Sequence, residues 1–506
     1  MNTLPSFAAR LAACWLSLLS LSLFASTGAV DASTANPLSP PEPVFNVLDY
    51  GAKGNAKSDD CAAIQKAIDA QAAAGKGSVY FKRSRTYLIR GTLRLRNGST
   101  LYLDKGATLL GSAQLADVPE IIAEEHKSWG EEHYHRRSIL FAENLKNVRI
   151  LGHGTIDGNV HQFNDAATPN LLQRSIHNLR FIRCENVEVR GIRLVNPVLW
   201  TQVYSECKNL LIDGIEVDSW QEQKNGDGLD LDSCENVIVR NSRFRSEDDA
   251  ICLKTLSTAP MKNVLIENCV VTGTRCHAIK IGTETQGSVA NVTIRNCKIE
   301  TCRGAICLYM VDGGTMSDVL VENIEILDAQ SALSIRLGSR NRTYAGGPAK
   351  TETGGMRNIT VRNVNAKDIT TRHECFIAGL PGHPIENVTL ENIRIQSIAG
   401  GSERDRAIQP ELRETVYPDP GMFGELPAWG MWIRDVNGLA LHNIDLACQP
   451  NEGRFALVFD RTQNIALHDV IVDRVKAPLV ELRGGTTLDL TQISAASGRI
   501  RLATEK

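Results

Sequence analysis

From residue 78 onward, short runs of alternating apolar and polar residues recur, most of them entered through an asparagine. Lys146-Asn147-Val148-Arg149-Ile150, Glu185-Asn186-Val187-Glu188-Val189 and Lys208-Asn209-Leu210-Leu211-Ile212 show the unit. It returns at Asn236-Val237, Asn263-Val264, Asn291-Val292, Asp318-Val319, Asn358-Ile359, Asn387-Val388, Gly438-Leu439 and Asn464-Ile465. From Asn209 to Asp318 the steps are 27, 27, 28 and 27 residues. Such a period marks a solenoid, because one unit cannot bury its apolar face until the next is stacked on it. A period of two within each run predicts strands, and nothing between them is long enough for a crossover helix. The pattern therefore predicts an all-β chain, a parallel β-helix of about ten or more turns. The asparagines suit turns, where Asn tolerates left-handed backbone. Asn291, Asn358 and Asn387 also match the glycosylation pattern, but the repeat itself accounts for them.

One helix is predicted, over about 60–74, with Ile64, Ala67, Ile68 and Ala72 on one face and Gly75 and Gly77 as its stop. Ser58, Asp59 and Asp60 supply cap chemistry at its start. It lies in a segment, 45–77, that caps the open end of the solenoid, as terminal units must be capped. The expected organisation is an export signal over 1–32, a proline-rich linker over 33–44 and one β-helix domain over 45–506. The signal reading rests on Arg10, the apolar run Leu11 to Phe24 and the small residues that follow. A membrane anchor is the alternative, for which the run is short. Export places the protein in the periplasm or outside the cell. Three longer stretches break the period, His161 to Ser175, Ser339 to Gly355, and Gly400 to Gly430 with its Tyr417, Phe423 and Trp429, and a further polar, aromatic loop, His126 to Arg137, precedes the repeats. Long loops on a rigid repeat carry binding or are tolerated insertions.

A formal charge of −3 gives no basic field, which argues against nucleic acid as a partner. Twelve cysteines follow Cys14. An even number in an exported chain suggests disulfides. However, Cys184, Cys207 and Cys234 each precede a repeat asparagine by two residues, and Cys269 and Cys297 share another repeat position. Recurrence favours small core residues, with one or two bridges still open.

Candidate chemistry gathers between Asn225 and Glu284. Gly226-Asp227-Gly228-Leu229-Asp230-Leu231, Asp248-Asp249-Ala250-Ile251-Cys252-Leu253 and Cys276-His277-Ala278-Ile279-Lys280-Ile281 share one template. Placing Leu229, Ile251 and Ile279 in one column puts Asp227, Asp249 and His277 in another. Parallel neighbours sit roughly 4.8 Å apart, so three aspartates and a histidine converge. Clustered carboxylates resist joint ionisation, which keeps one protonated as an acid. Inverting glycoside hydrolysis needs an acid and a base roughly 6.5–9.5 Å apart. Ordinary turns remain an alternative, as does calcium on Asp227, Asp230 and Asp232. The calcium reading lacks the closing glutamate and sets Asp232 beside Lys254.

These residues resemble glycoside hydrolase family 28, the polygalacturonase-like family, within the pectin-lyase-like superfamily of right-handed parallel β-helices. Asp49-Tyr50-Gly51-Ala52 with Ser58-Asp59-Asp60 is similar to the superfamily's capping segment. Gly154-Thr155-Ile156-Asp157-Gly158 and Asn196-Pro197 with Trp200 are similar to family segments upstream of the site. Asn225-Gly226-Asp227 stands where the family has Asn-Thr-Asp, and Asp248-Asp249 where it has its Asp pair. Cys276-His277-Ala278 stands for Gly-His-Gly; a literal Gly152-His153-Gly154 lies upstream and is set aside. The resemblance implies Asp248 as general acid, Asp227 and Asp249 holding and deprotonating water, and His277 assisting. It also implies Asn225 as substrate-binding and a carbohydrate, pectic substrate. No metal or cofactor is implied, and the enzyme is expected to act as a monomer, with no membrane partner once the signal is removed.

The family's Arg-Ile-Lys turn reads Ile306-Cys307-Leu308-Tyr309 here, so both cations are missing. The column places Lys280 one turn earlier and Arg336 one turn later as replacements, with Tyr309 beside them as substrate-binding. The departure points to a uronic-acid-containing or branched pectic glycan other than plain polygalacturonan, and the loops point to a closed pocket and exo action. Two competing readings stay open. A calcium-dependent lyase on the same scaffold would give an unsaturated product, and a non-catalytic β-helix would bind glycan without turnover.

Overall fold

The computed structural model describes residues 38–122, 136–163, 176–219, 225–342, 351–370, 375–473, 480–486 and 502–504. The export signal over 1–32, the start of the linker, most of the loop 126–137, the far part of 161–175 and the middle of 339–355 lie outside the described residues. Among the described residues no helix is long and apolar enough to cross a membrane.

Apolar runs of period two leave each strand with one face to bury, and the chain buries them by coiling. Val189, Ile212, Val239, Ile266, Ile294 and Val321 sit one above the next in parallel register. Each is fully or almost fully buried, so the interior is a continuous aliphatic column. The same parallel pairing runs from Val44–Asn46, which pairs with Ser78–Phe81, to Val480–Arg483, which pairs with Leu502–Thr504. From Pro40 onward the described chain is one compact unit.

The asparagines are the metronome of the coil. Asn147, Asn186, Asn209, Asn236, Asn263 and Asn291 all have φ between 54° and 57°. Each side-chain amide donates to the carbonyl oxygen of the one before at 2.8–3.0 Å. A second ladder, through Asn296, Asn323, Asn363, Asn392 and Asn443, runs in parallel at 2.8–2.9 Å. The sequence reading named only the first.

The predicted helix spans Cys61–Ala74 and ends at Gly75, whose φ of 65° is left-handed. Asp59 caps it, its carboxylate accepting from the Cys61 N–H at 3.0 Å. Asp60 turns away and instead accepts from the N–H groups of Lys53 and Gly54. Ile64, Ala67 and Ile68 are buried as predicted, but the fourth position is Gln71 and not Ala72. Gln71 is tolerated inside because its amide donates to the Gly98 carbonyl at 3.1 Å.

All twelve described cysteines are free, so the bridges left open do not form among them. Cys184, Cys207 and Cys234 are stacked and buried, and the Cys184 N–H meets the Cys207 sulfur at 3.4 Å.

Candidate active site

Three strands set the site. Leu229–Asp232, Ile251–Thr255 and His277–Thr285 pair in parallel with Leu229, Ile251 and Ile279 in one column. Leucine and isoleucine side chains of these strands fill the core, which fixes the register and leaves alternate residues on the outer face. The turns entering the first two strands carry Asp227 and Asp249, and the third strand opens on His277. Backbone bonds from Gly228 to Asp249 and from Ala250 to His277, both 2.8 Å, tie those turns together.

Asp249 lies at the centre. One of its carboxylate oxygens is 2.6 Å from His277 Nδ1 and the other accepts from Lys280 Nζ at 2.8 Å. Burial alone would push this carboxyl up, but the Lys280 and His277 charges and their hydrogen bonds hold it well below the ordinary carboxylate range. Asp227, also buried, moves the other way. Desolvation and the nearby Asp230 and Asp248 push its carboxyl well up, against the pull of Lys254. Asp248 is less buried than either. Its carboxyl is raised, first by burial and then by the charge of Asp249. The Cys276 thiol, pressed against Asp248, opposes that rise by hydrogen bonding. Asp248, Asp249 and Cys276 each offer a ligand atom within 4.8 Å of the others. They are the described group that could hold a cation, and Lys280 already supplies positive charge there.

A second cation completes the floor. Lys254 Nζ is 3.0 Å from Asp230, 3.6 Å from Asp227 and 3.8 Å from Glu284. It also lies 3.5 Å from the centre of the Trp200 ring, a cation–π contact in a desolvated setting. The calcium alternative meets this arrangement directly. An ammonium group occupies the place between Asp227 and Asp230, while Asp232 accepts from the Leu256 N–H and the Ser233 hydroxyl.

The sequence-predicted residues divide into two groups. Asp227, Asp248, Asp249, His277 and Lys280 come together. Asn225 stands at the entrance of the first turn with a left-handed φ of 63°. The Gly226 that follows is crowded: an added Cβ would lie 3.1 Å from the Ser219 carbonyl and 3.2 Å from Glu247. Lys280 contacts an enzyme carboxylate instead of open groove. Against the expectation that they bind substrate, neither Tyr309 nor Arg336 is open to it: Tyr309 reaches the site only from within, its ring edge-on to His277 with centres 6.0 Å apart, and Arg336 lies apart. Tyr309 is fully buried and its hydroxyl meets Ser334 Oγ at 2.7 Å. Arg336 is 1% exposed, its guanidinium donating to the carbonyls of Leu412 and Gly379 at 2.7 and 3.1 Å. A buried guanidinium needs acceptors close by, and the insertion laid over it supplies them.

That insertion also brings residues the sequence reading left unassigned. Tyr417 accepts from Lys280 Nζ at 3.0 Å. Asp419 sits 3.7 Å from His277 Nε2 and 3.1 Å from Arg303. Aromatic content had marked the loop, but nothing in the local pattern tells which turn it reaches.

A parallel β-helix whose outer face gathers carboxylates beside a histidine and two buried lysines holds the groups that acid–base hydrolysis uses. Residues 99–410, more than half of the chain, match the sequence model of Glycosyl hydrolases family 28. The chain belongs to that family and is a glycosidase. It is 25% identical over 376 residues to "Polygalacturonase QRT2" of Arabidopsis thaliana, covering 72% of this chain and 73% of that one. Among solved structures, the hyperthermoactive exopolygalacturonase from Thermotoga maritima superposes with a TM-score of 0.60 at 18% identity, over 81% of this chain and 93% of its own. The family 28 exopolygalacturonase of Yersinia enterocolitica gives 0.61 at 17%, over 84% and 78%. At these identities the structures show the shared fold, the right-handed parallel β-helix.

Proposed function

We propose that this chain is an exported, single-domain hydrolase that cleaves pectic, uronic-acid-containing glycans with inversion at the anomeric carbon. The observation that carries the reading is the meeting of Asp227, Asp248 and Asp249 beside His277 and Lys280: His277 and Lys280 both bond Asp249 and hold its carboxyl low, while burial raises Asp248 and, more strongly, Asp227. An acid carboxyl beside an ionised carboxylate serves glycoside hydrolysis of either stereochemistry, and inversion is taken from the resemblance to the family. The relatives' names, polygalacturonases throughout the sequence and structure matches given above, support the substrate class.

In this reading Asp248 gives its proton to the glycosidic oxygen as the bond to the anomeric carbon breaks. Asp249 takes a proton from the water that bonds that carbon on the opposite face, and Asp227 holds the water. His277 and Lys280 keep Asp249 ionised and oriented. Lys254 steadies Asp227 and Asp230 from beneath. Every atom of the water is accounted for, its oxygen on the new hemiacetal and its protons on Asp249 and the sugar.

Incubation with a panel of pectic oligosaccharides, read by proton NMR during the first turnovers, tests the reading. The expected result is a product whose first-formed anomer is inverted relative to the substrate. A retained anomer, an unsaturated product, or binding without turnover across the panel would overturn it.

A further inference from the structure

Cys276 carries a free, half-buried thiol directly before the strand that opens on His277. It stands three residues before Ile279, as Asp248 stands three before Ile251. The parallel register of Ile251 and Ile279 therefore sets Asp248 and Cys276 side by side on successive turns.

Hydrogen bonds pin that placement from both sides. Thr274 Oγ1 donates to the Asp248 carbonyl and accepts from the Cys276 N–H, the latter at 3.0 Å. Ser246 Oγ donates to the same Asp248 carbonyl at 2.7 Å. From the following turn, the N–H groups of Arg303 and Gly304 donate to the Cys276 carbonyl at 3.0 and 3.1 Å. Neither residue can shift without breaking bonds to its neighbours.

Held in this way, the side chains meet. The Cys276 sulfur lies within 4.8 Å of carboxylate oxygens of both Asp248 and Asp249, and its thiol donates to Asp248. Asp248 Oδ1 also accepts from the Asp249 N–H at 2.9 Å, a bond within its own turn. Burial, and then the charges of Asp248 and Asp249, push the thiol well up. It keeps its proton and serves as a donor, not as a nucleophile. Asp249 is gripped by a lysine and a histidine, whereas Asp248 meets a weak, neutral donor. Such a donor can orient an acid without stripping its proton, as a cation in contact would. When Asp248 yields its proton to the glycosidic oxygen, negative charge grows on its carboxyl, and the bond from the thiol strengthens with that charge. The thiol's own proton stays on sulfur. The family pattern given above has glycine at this position, which can make no such bond.

Resting on the glycosidase reading above, we propose that Cys276 is a positioning residue for Asp248. Its thiol holds the carboxyl in place and steadies the carboxylate left after the proton has gone.

The test compares full-length wild type, Cys276→Ala and Cys276→Ser on a pectic oligosaccharide, with kcat and KM measured from acid to alkaline pH. Losing a donor to its carboxylate makes Asp248 hold its proton more tightly. A general acid works while protonated, so activity should then persist to higher pH. Cys276→Ala should lower kcat at the optimum about two- to ten-fold, the worth of one hydrogen bond. It should leave KM nearly unchanged and move the alkaline limb of the kcat profile to higher pH. Cys276→Ser restores a donor and should return both kcat and the limb towards wild type. Cys276→Gly should move the limb as alanine does, and it stands in for alanine if that variant fails to fold. A limb that stays in place when the donor is removed, or a serine variant no better than alanine, would overturn the positioning role and leave the glycosidase reading intact. A wild type inactive on every pectic oligosaccharide would overturn the pectic glycosidase reading, and this proposal with it.

Discussion

Asp249 and His277 are 28 residues apart in sequence and 2.6 Å apart in space, joined because one turn of the coil lies directly on the next. With Lys280 on its other oxygen, Asp249 is an anion gripped from two sides in a buried place. Removing one grip leaves a charge with too little compensation. Lys280→Met should therefore lower stability by about 3–5 kcal/mol and abolish activity. Adding Asp249→Asn to it should recover most of the stability and none of the activity. Paired urea titrations of the single and double variants read this directly.

Asp248→Asn should cost roughly 10²–10⁴-fold in kcat, the range for loss of a general acid. Its melting temperature should match the wild type, because Asp248 is the least buried of the three acids. An unaltered kcat would remove Asp248 from the acid role.

Asp232 gives a pH prediction free of catalysis. Burial pushes its carboxyl up to about 7, with the Leu256 N–H and Ser233 hydroxyl resisting. A raised folded-state pKa means the folded protein holds the proton more tightly than the unfolded chain. The stability this confers is complete below about pH 4, the unfolded value, and is lost as pH rises through about 7. Asp232→Asn keeps the shape and removes the ionisation. It should be more stable than wild type above pH 7, by up to the order of 4 kcal/mol, with the gap closing toward pH 4. Thermal melts across that range decide it.

Arg336→Met should loosen the insertion, since Leu412, Gly379 and the Phe423 face lose their partner. Leaving those carbonyls unmatched should cost about 1–3 kcal/mol each where they stay buried. Faster proteolytic cutting within 400–430, with the coil itself resistant, is the expected readout.

Asn236 tests the ladder. It donates to Asn209 at 3.0 Å and accepts from Asn263 at 2.8 Å with a left-handed φ of 57°. Asn236→Ala should cost about 2 kcal/mol, from lost bonds and backbone strain. Asn236→Gly should cost less, because glycine keeps the backbone at ease. The order of the two midpoints in denaturant is the measurement.

The register of the acids was legible because the apolar triplets led by Leu229, Ile251 and Ile279 mark the same column, although they stand 22 and 28 residues apart. Asp227, Asp249 and His277 could be aligned by their apolar neighbours alone. Tyr417 and Asp419 could not. Lys280 and Tyr417 are separated by 137 residues, and the length of a loop does not say where its tip lands. Arg336 and Tyr309 were placed in the right columns and given the wrong surroundings for the same reason. The column tells which way a side chain leaves the coil, not what later chain covers it. The second asparagine ladder was missed because its members precede less regular runs, although each stands five residues after a member of the first ladder or its Gly438 equivalent.

The insertion that covers Arg336 also buries Met422, Phe423 and Leu426 on Phe376 and Trp432, and this apolar plateau has an evolutionary corollary. A shorter loop would leave Phe376 and Trp432 facing water as an adhesive patch, while polar residues beneath the present loop would strand it. Lid and landing site must therefore be inherited together. A descendant that changed this loop would have to exchange both at once, so the trait should be gained or lost in single jumps.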